Sequence, residues 1–385
     1  MPWKHETPMD QRIKLVGEWL SGNYSKTALS KRFGVSRVTV NKWLSRYEEA
    51  GLRGLEERSR APKSCPHQTH KAVATKLIEA KLQHMDWGPK KLVCYLSTKW
   101  PQIQWPAPST AGEILRRQGL VRAKSRRSRT PPYGQPFRDC EAPNQVWSVD
   151  YKGQFKTGDG CWCYPLTVTD NASRYLLLCR GLHRPRLQET QPWFEWVFRE
   201  YGLPNAIRSD NGSPFASVGL GGLSALSVWW IKLGIVPERI KPGRPDQNGR
   251  HERMHRSLKA ATLKPPAQDL HQQQAVFNAF RQEFNTERPH EALQMETPAS
   301  RYYASLRSYP ETLPEIDYGD DFEVRRVRSN GEIKWQGQRL YVSEALVGEW
   351  VGLKETDSNQ WELYFSSHHI GNLNPKNKRF ETPKV

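Results

Sequence analysis

Three acidic residues occupy positions from which a carboxylate can do chemistry. Asp150 ends a run of strand-forming residues, Val146-Trp147-Ser148-Val149-Asp150. Asp210 ends another, Ile207-Arg208-Ser209-Asp210, just before the turn pair Asn211-Gly212, and Glu252 follows Asn248-Gly249 on a helical stretch. Strand ends and helix starts are where an α/β sheet presents ligands to a cleft. Three converging carboxylates make an oxygen-rich anionic site suited to Mg²⁺, which keeps much of its water and takes few protein ligands plus substrate phosphate oxygens. Two such ions clamp the attacking and leaving oxygens of an in-line phosphodiester displacement. Against this stands the ordinary fate of the chain's 40 Asp and Glu, most of which must be solvated or paired. Asp159, Asp170 and Asp246 are rivals on composition alone. Asp170 suits a turn cap in Thr169-Asp170-Asn171-Ala172-Ser173, and Asp246 sits in a Gly- and Pro-rich loop, so both read as structural.

The charge distribution suggests what such a site would act on. Of 58 Lys and Arg, 27 lie in residues 1–140 beside 11 acids, a net of +16, whereas residues 141–385 hold 31 and 29, a net of +2. A segregated basic region attracts polyanions, and neutralising nucleic-acid phosphates releases counterions. The 385-residue length implies two to four domains, and 37% hydrophobic content with 15 Trp excludes wholesale disorder. The longest apolar stretch, Leu223 to Val236, is interrupted and too short for a bilayer, and the Met1-Pro2-Trp3-Lys4 start lacks a signal-peptide core. The expected location is therefore the cytoplasm, with no membrane partner. Six scattered Cys are expected as reduced thiols, with Cys161 and Cys163 on one face of a strand as core thiols.

The elements that would position these residues follow from periodicity and caps. Gln11 to Leu20, Ser25 to Phe33 and Ser36 to Glu49 read as three helices, with Gly34 turning the chain. The third puts Val40, Trp43, Leu44 and Tyr47 on one face and Arg37, Asn41, Lys42 and Ser45 on the other. That polar face suits a DNA major groove, where Arg reads guanine and Asn reads adenine; a packing unit with a solvated basic face is the alternative, and the net charge favours DNA. A second helical module spans His70 to His84, Gly88 to Trp100 and Ser109 to Gln118. Arg122, Lys124, Arg126, Arg127 and Arg129 then form a basic linker fit to track phosphates. Strands are expected at Val146–Asp150, Cys163–Thr169, Tyr175–Cys179 and Ala206–Ser209, with a helix at Gln191–Glu200. Short strand-like runs from Phe322 to Leu373 predict a small β-barrel.

Four segments, Val146 to Gly153, Arg208 to Phe215, Asp246 to Lys259 and Phe284 to Leu293, together resemble the catalytic core of bacterial insertion-sequence transposases of the retroviral-integrase (DDE) type. The helical modules, with Trp87-Gly88-Pro89-Lys90-Lys91 and Pro108-Ser109-Thr110, resemble the DNA-binding half of single-frame members, which adds Lys90 and Lys91 to the expected DNA contacts. The resemblance implies an RNase H-like core with Asp150, Asp210 and Glu252 as the metal-binding triad, Mg²⁺ as cofactor with Mn²⁺ able to substitute, and Lys259 with Arg256 against DNA phosphates. The competing role for Arg256 is an intrahelical ion pair with Glu252 worth about 0.3–0.5 kcal/mol. Two departures stand out. Asp210 and Glu252 are separated by 41 residues, more than is usual, with the surplus expected as a loop at Ala216 to Ser227. Cys65, His67, His70, His84 and Cys94 lack paired zinc-ligand spacing, so no structural zinc is expected.

The expected organisation is multidomain: helix-turn-helix domain at 1–60, a second helical (helix-turn-helix or winged) domain at 61–120, basic linker at 121–140, α/β RNase H-like core at 141–310, and SH3-like small β-barrel at 311–385. The expected function is DNA transposition: binding of terminal inverted repeats, Mg-dependent strand cleavage, and strand transfer into target DNA by a homo-oligomer, at least a dimer. The alternatives are a DNA-binding regulator with an inert core and an RNase H-type nuclease.

Overall fold

The computed structural model describes residues 6–59, 68–121, 140–240, 245–263, 265–356, 360–374 and 379–382, and they divide into two compact units between Gln68 and Thr69. The first unit is a three-helix bundle, α1 (Pro8–Leu20), α2 (Lys26–Arg32) and α3 (Arg37–Ala50). Each helix has a side-chain N-cap, which satisfies an otherwise orphaned amide: Thr7 accepts from Asp10 N, Ser25 from Ala28 N and Ser36 from Thr39 N. Thr7 and Asp10 complete a capping box one turn before Gln11, so α1 starts earlier than periodicity alone indicates. Leu15, Val16, Leu29, Val40, Trp43, Leu44 and Leu55 form its core. Gly54 closes the unit against α3, where a Cβ would lie 1.9 Å from the Arg46 carbonyl oxygen.

The second unit begins with another three-helix module, α4 (Lys71–Gln83), α5 (Pro89–Lys99) and α6 (Pro108–Arg117), cored by Leu77, Trp87, Leu92, Leu96 and Leu115. Pro89 and Pro108 sit in the first helical turns, where a missing N–H costs nothing.

A mixed sheet follows, built from β1 (Val146–Tyr151), β2 (Phe155–Lys156), β3 (Trp162–Asp170) and β4 (Leu176–Leu182), then α7 (Leu187–Tyr201), β5 (Ala206–Ser209), α8 (Ala225–Lys232) and β6 (Val236–Arg239). The pairing order is β4-β3-β1-β5-β6, with β2 against the start of β3. β1, β3 and β4 are antiparallel neighbours, and β5 and β6 run parallel to β1. β1 is central, and α7 and α8 pack Phe194, Phe198, Trp229 and Trp230 over it. Two more helices, α9 (Gly249–Thr262) and α10 (Leu270–Thr286), join through Met254, Leu258, Phe277, Phe280 and Phe284, and meet Cys163, Leu176 and Cys179 of the sheet. Cys161, by contrast, precedes β3 and is exposed, so the two thiols do not share a buried face.

The last strands are β7 (Glu323–Arg326), β8 (Glu332–Trp335), β9 (Gln338–Tyr341), β10 (Trp350–Glu355), β11 (Trp361–Phe365), β12 (His368–Asn374) and β13 (Arg379–Glu381). They pair as β13-β12-β11-β10-β7 with a separate β8-β9 hairpin, so no closed barrel forms among the described residues. The surplus segment before α8 is not a free loop. Ala216 bridges to Leu223, and Leu220, Leu223, Val228 and Ile231 share one apolar core with the C-terminal strands. Gly221, at φ +63°, lies so close to Ile370 that an added Cβ would sit 3.0 Å away. Lys232 pairs with Glu349 at 2.8 Å. No helix among the described residues is long and apolar enough to cross a membrane.

Candidate active site

Asp150 is the fifth residue of the central strand, and Asp210 immediately follows the neighbouring parallel strand. Their register pairs Val146 with Ala206 and Ser148 with Arg208. Continued for two residues, it sets Asp150 level with Asp210 on strands roughly 4.8 Å apart. The turn after β5 then holds the second carboxylate: Gly212 N donates to Asp210 Oδ1 at 3.1 Å, and a Cβ there would stand 3.1 Å from Oδ2. Glu252 enters from the first turn of α9, exposed to solvent.

Electrostatics couples the three. Asp150 is pushed up to about 7, chiefly by desolvation and then by the negative charges of Asp210 and Glu252, while Lys152 pulls the other way. Among the described residues no three His, Cys, Asp or Glu side chains form a ready-made metal cage. Mg²⁺ needs none, since one or two carboxylates plus substrate phosphates suffice. A hard, all-oxygen donor set whose members repel one another fits such a cation.

α9 is pinned behind these acids by a polar network inside the apolar core. Thr167, which faces Asp150 on β3, donates its hydroxyl to the Asp150 carbonyl oxygen at 3.0 Å. That uses its one proton, so the Nε2 atoms of His251 and His255, each 2.7 Å away, must donate to Thr167. His251 Nδ1 then accepts from Thr169 at 2.8 Å, and His255 Nδ1 is left as a bare acceptor 3.7 Å from Asp150 Oδ2. Burial drives His251 down to about 3 and His255 to about 2, so both rings are neutral and the 3.7 Å approach is no ion pair. The signal in the sequence that points to this pair of histidines is the polar Thr167 and Thr169, alternating on an otherwise apolar strand.

The other expected residues separate into groups. Asp170 is buried as a turn cap, accepting from Asn144 N, Ser173 N and Ser173 Oγ, and Asp159 is exposed and bonded to Thr157. The Asp246 side chain lies outside the described residues. Arg37, Asn41, Lys42 and Ser45 are all exposed on α3, opposite Val40, Trp43 and Leu44. Lys90 is exposed, but Lys91 turns inward into a pocket with Arg288 and His290. Arg256 and Lys259 are exposed on α9, and no ion pair joins Glu252 to Arg256 among the described residues. The linker cations Arg122, Lys124, Arg126, Arg127 and Arg129, and the thiol Cys65 with His67, lie outside the described residues. Arg288 fastens the end of the core, bonding to Asp86 at 2.6 Å and Ser257 at 3.1 Å.

An α/β core with carboxylates at the ends of adjacent strands and on an abutting helix follows two helical modules. Known families share these parts. Residues 141–245 and 233–298 each match an integrase core domain, residues 11–63 a helix-turn-helix domain, residues 39–115 a homeodomain-like domain, and residues 322–380 the C-terminal domain of IS481 family transposases. An uncharacterized 39.2 kDa protein of insertion element IS476 from Xanthomonas euvesicatoria is 25% identical over 300 residues, covering 75% of this chain and 81% of that protein. An uncharacterized 31.7 kDa protein of insertion element IS407 from Burkholderia multivorans is 25% identical over 243 residues, covering 61% and 82%. Among solved structures, a simian T-cell lymphotropic virus intasome in complex with the PP2A regulatory subunit B56 gamma aligns over 77% of this chain and 99% of its own, at 16% identity and a TM-score of 0.38. The chain carries an integrase core behind helix-turn-helix domains and the C-terminal domain of IS481 family transposases, and it is a DDE-type transposase, a polynucleotidyl transferase.

Proposed function

We propose that Asp150, Asp210 and Glu252 are the catalytic carboxylates of this transposase and hold divalent metal, Mg²⁺ with Mn²⁺ able to substitute, while the chain cuts and joins the ends of its element. The observation that carries this is the in-register placement of Asp150 and Asp210 on adjacent strands, where burial and Asp210 raise Asp150 and Glu252 adds a smaller push in the same direction. When bound, the metal supplies charge neutralisation for the attacking and leaving oxygens. The protein's own part is positional. β1 and β5 fix two carboxylates, and the His251, His255 and Thr167 network holds α9, and so Glu252, against the sheet. In the first step a water oxygen attacks the phosphorus at the element end, the bond from phosphorus to the 3′ oxygen breaks, and a 3′-OH is freed. That hydroxyl then attacks a target phosphodiester, forming one such bond as another breaks, so no external energy source is needed.

The exposed face of α3 is read as the recognition surface for terminal repeats, with Arg37 and Asn41 at base edges, and Arg256 and Lys259 on phosphates near the acids. Uncleaved ends must be held together, which calls for at least two protomers. We read the sheet order as RNase H-like, the C-terminal strands as a small SH3-like fold whose barrel stays open among the described residues, and the cellular location as the cytoplasm, on the nucleoid. Removing residues 1–60 and assaying the remainder on labelled duplex tests this division of labour: specific binding should be lost while Mg-dependent nicking of duplex DNA persists. Hydrolysis confined to RNA–DNA hybrids would favour the nuclease, and specific binding by the full chain without any cutting would favour the regulator.

A further inference from the structure

Where α4–α6 meet the core, a cavity of about 720 Å³ is lined by five cations from four segments: Lys91 on α5, Arg174 in the β3–β4 turn, Arg250 and Arg253 on α9, and Arg288 beyond α10. Two acids, Asp170 and Glu291, share the lining, and Asp170 already accepts three hydrogen bonds from Asn144 and Ser173. Arg288 is held by Asp86, but Lys91, Arg174, Arg250 and Arg253 form no ion pair among the described residues. Arg174 and Arg250 instead both donate to one neutral acceptor, the Asn171 carbonyl oxygen, at 2.6 and 3.2 Å. Burial, followed by the nearby Arg288, lowers Lys91 to about 8, and burial followed by Arg250 lowers Arg174 to about 10. His290, also on the wall, has a buried Nε2 without a hydrogen-bond partner. Arg174 adopts φ +65°, a left-handed conformation that is unfavourable for a non-glycine residue and persists only where the surroundings impose it.

Cations partly stripped of water and short of counter-charge describe an anion site, and guanidinium forks match phosphate oxygens. Its place suits the reaction. The strand register sets Asp170 opposite Trp147, three residues before Asp150. That is roughly 10 Å along the strand, or about three steps of a DNA duplex. Glu252 and Arg253 are consecutive on α9, so one helix serves the acidic site with one face and this pocket with another.

We propose that the pocket formed by Lys91, Arg174, Arg250, Arg253 and Arg288 seats a DNA backbone phosphate a few nucleotides from the one at the acidic site. The proposal rests on the chain acting on DNA. The test measures anisotropy of a fluorescein-labelled duplex carrying the DNA that flanks the coding frame, bound to the full chain across about 50–200 mM salt. Arg174→Gly removes a cation while relieving the left-handed backbone, and Arg253→Gln changes an exposed side chain with no ion-pair partner. Each should melt like the native protein, make the salt dependence shallower by about 1 in log–log slope, and weaken binding about tenfold near 0.1 M salt on specific and random duplex alike. Unchanged affinity and slope in both variants would overturn the proposal. So would pyrophosphate that raises the melting temperature of the native protein but not of the variants, with DNA slopes unaltered, because the site would then take a free anion. A native chain that binds no duplex at all would instead sink the functional reading itself.

Discussion

Helices α1–α3 and α4–α6 are both three-helix units cored on a tryptophan, Trp43 in one and Trp87 in the other, yet their polar residues meet different fates. In the first, Arg37, Asn41, Lys42 and Ser45 stay exposed on a face that nothing in its own unit covers. In the second, the polar residues are engaged by the catalytic core: His84 meets Glu283 at 3.1 Å, Asp86 meets Arg288 at 2.6 Å, Cys94 Sγ reaches the Met295 carbonyl, and Lys91 turns into the cationic pocket. A helical module with its basic face free is equipped to read DNA. One whose polar residues are tied to the core is equipped to hold a fixed place on that core.

The comparison breaks most visibly if the first module is not energetically its own unit. Trp43→Ala removes a buried indole, which should cost about 3–5 kcal/mol and lower only the melting transition of residues 6–59, as followed by calorimetry. A matching drop in the transition of the second unit would show the two to be coupled. Next in size, Asp86→Ala leaves the Arg288 guanidinium, whose side chain is 8% exposed, without its carboxylate. The expected loss is about 3 kcal/mol in the second unit alone. Asn41→Ala should cost about 1–3 kcal/mol of discrimination between the element's end and random duplex, with stability within about 0.5 kcal/mol of native. Equal weakening on both duplexes would reduce α3 to a phosphate contact.

The last effect is absent at neutral pH and grows only as the pH falls. His290 is held down at about 3 by burial, then by Lys91 and Arg288, whereas an unfolded histidine binds its proton near 6.5. The unfolded state therefore takes up a proton first as pH falls, so His290 costs the second unit stability progressively from about 6.5 toward 3. Residues 6–59 contain no histidine, and their transition lacks this source of pH dependence. Melting of native protein and His290→Gln across that window measures it: the variant's second transition should be the less acid-sensitive, and identical profiles would refute the assignment.

Much of this was legible in the sequence because local chemistry announces it. Ser25 and Ser36 mark helix starts, Gly34 marks the turn, and Asp150 and Asp210 end runs whose β-branched and aromatic residues fit strands. What escaped depends on tertiary partners. α8 is apolar all round, with Leu226, Val228, Trp229, Trp230 and Ile231 all buried, so it has no polar face to give it a period. β6 carries Pro237 at the sheet edge, where a missing donor is tolerated but the strand pattern is spoiled. The segment from Ala216 reads as a glycine-rich insertion until the C-terminal strands supply something for Leu220 and Leu223 to bury against. The acids could be named from their own neighbours, whereas the cations of the pocket come from four separate segments and meet only in three dimensions.

Asp150, Asp210 and Glu252 are proposed to act together on DNA phosphodiesters. The most direct test is cleavage and joining of labelled duplexes carrying the DNA that flanks the coding frame, with Mg²⁺, by the native chain and by Glu252→Gln. Glu252 is exposed, so the substitution should leave folding and DNA binding intact. Nicked and joined products are expected from the native protein and neither from the variant at equal DNA occupancy. Products of equal yield from both proteins would contradict that joint action.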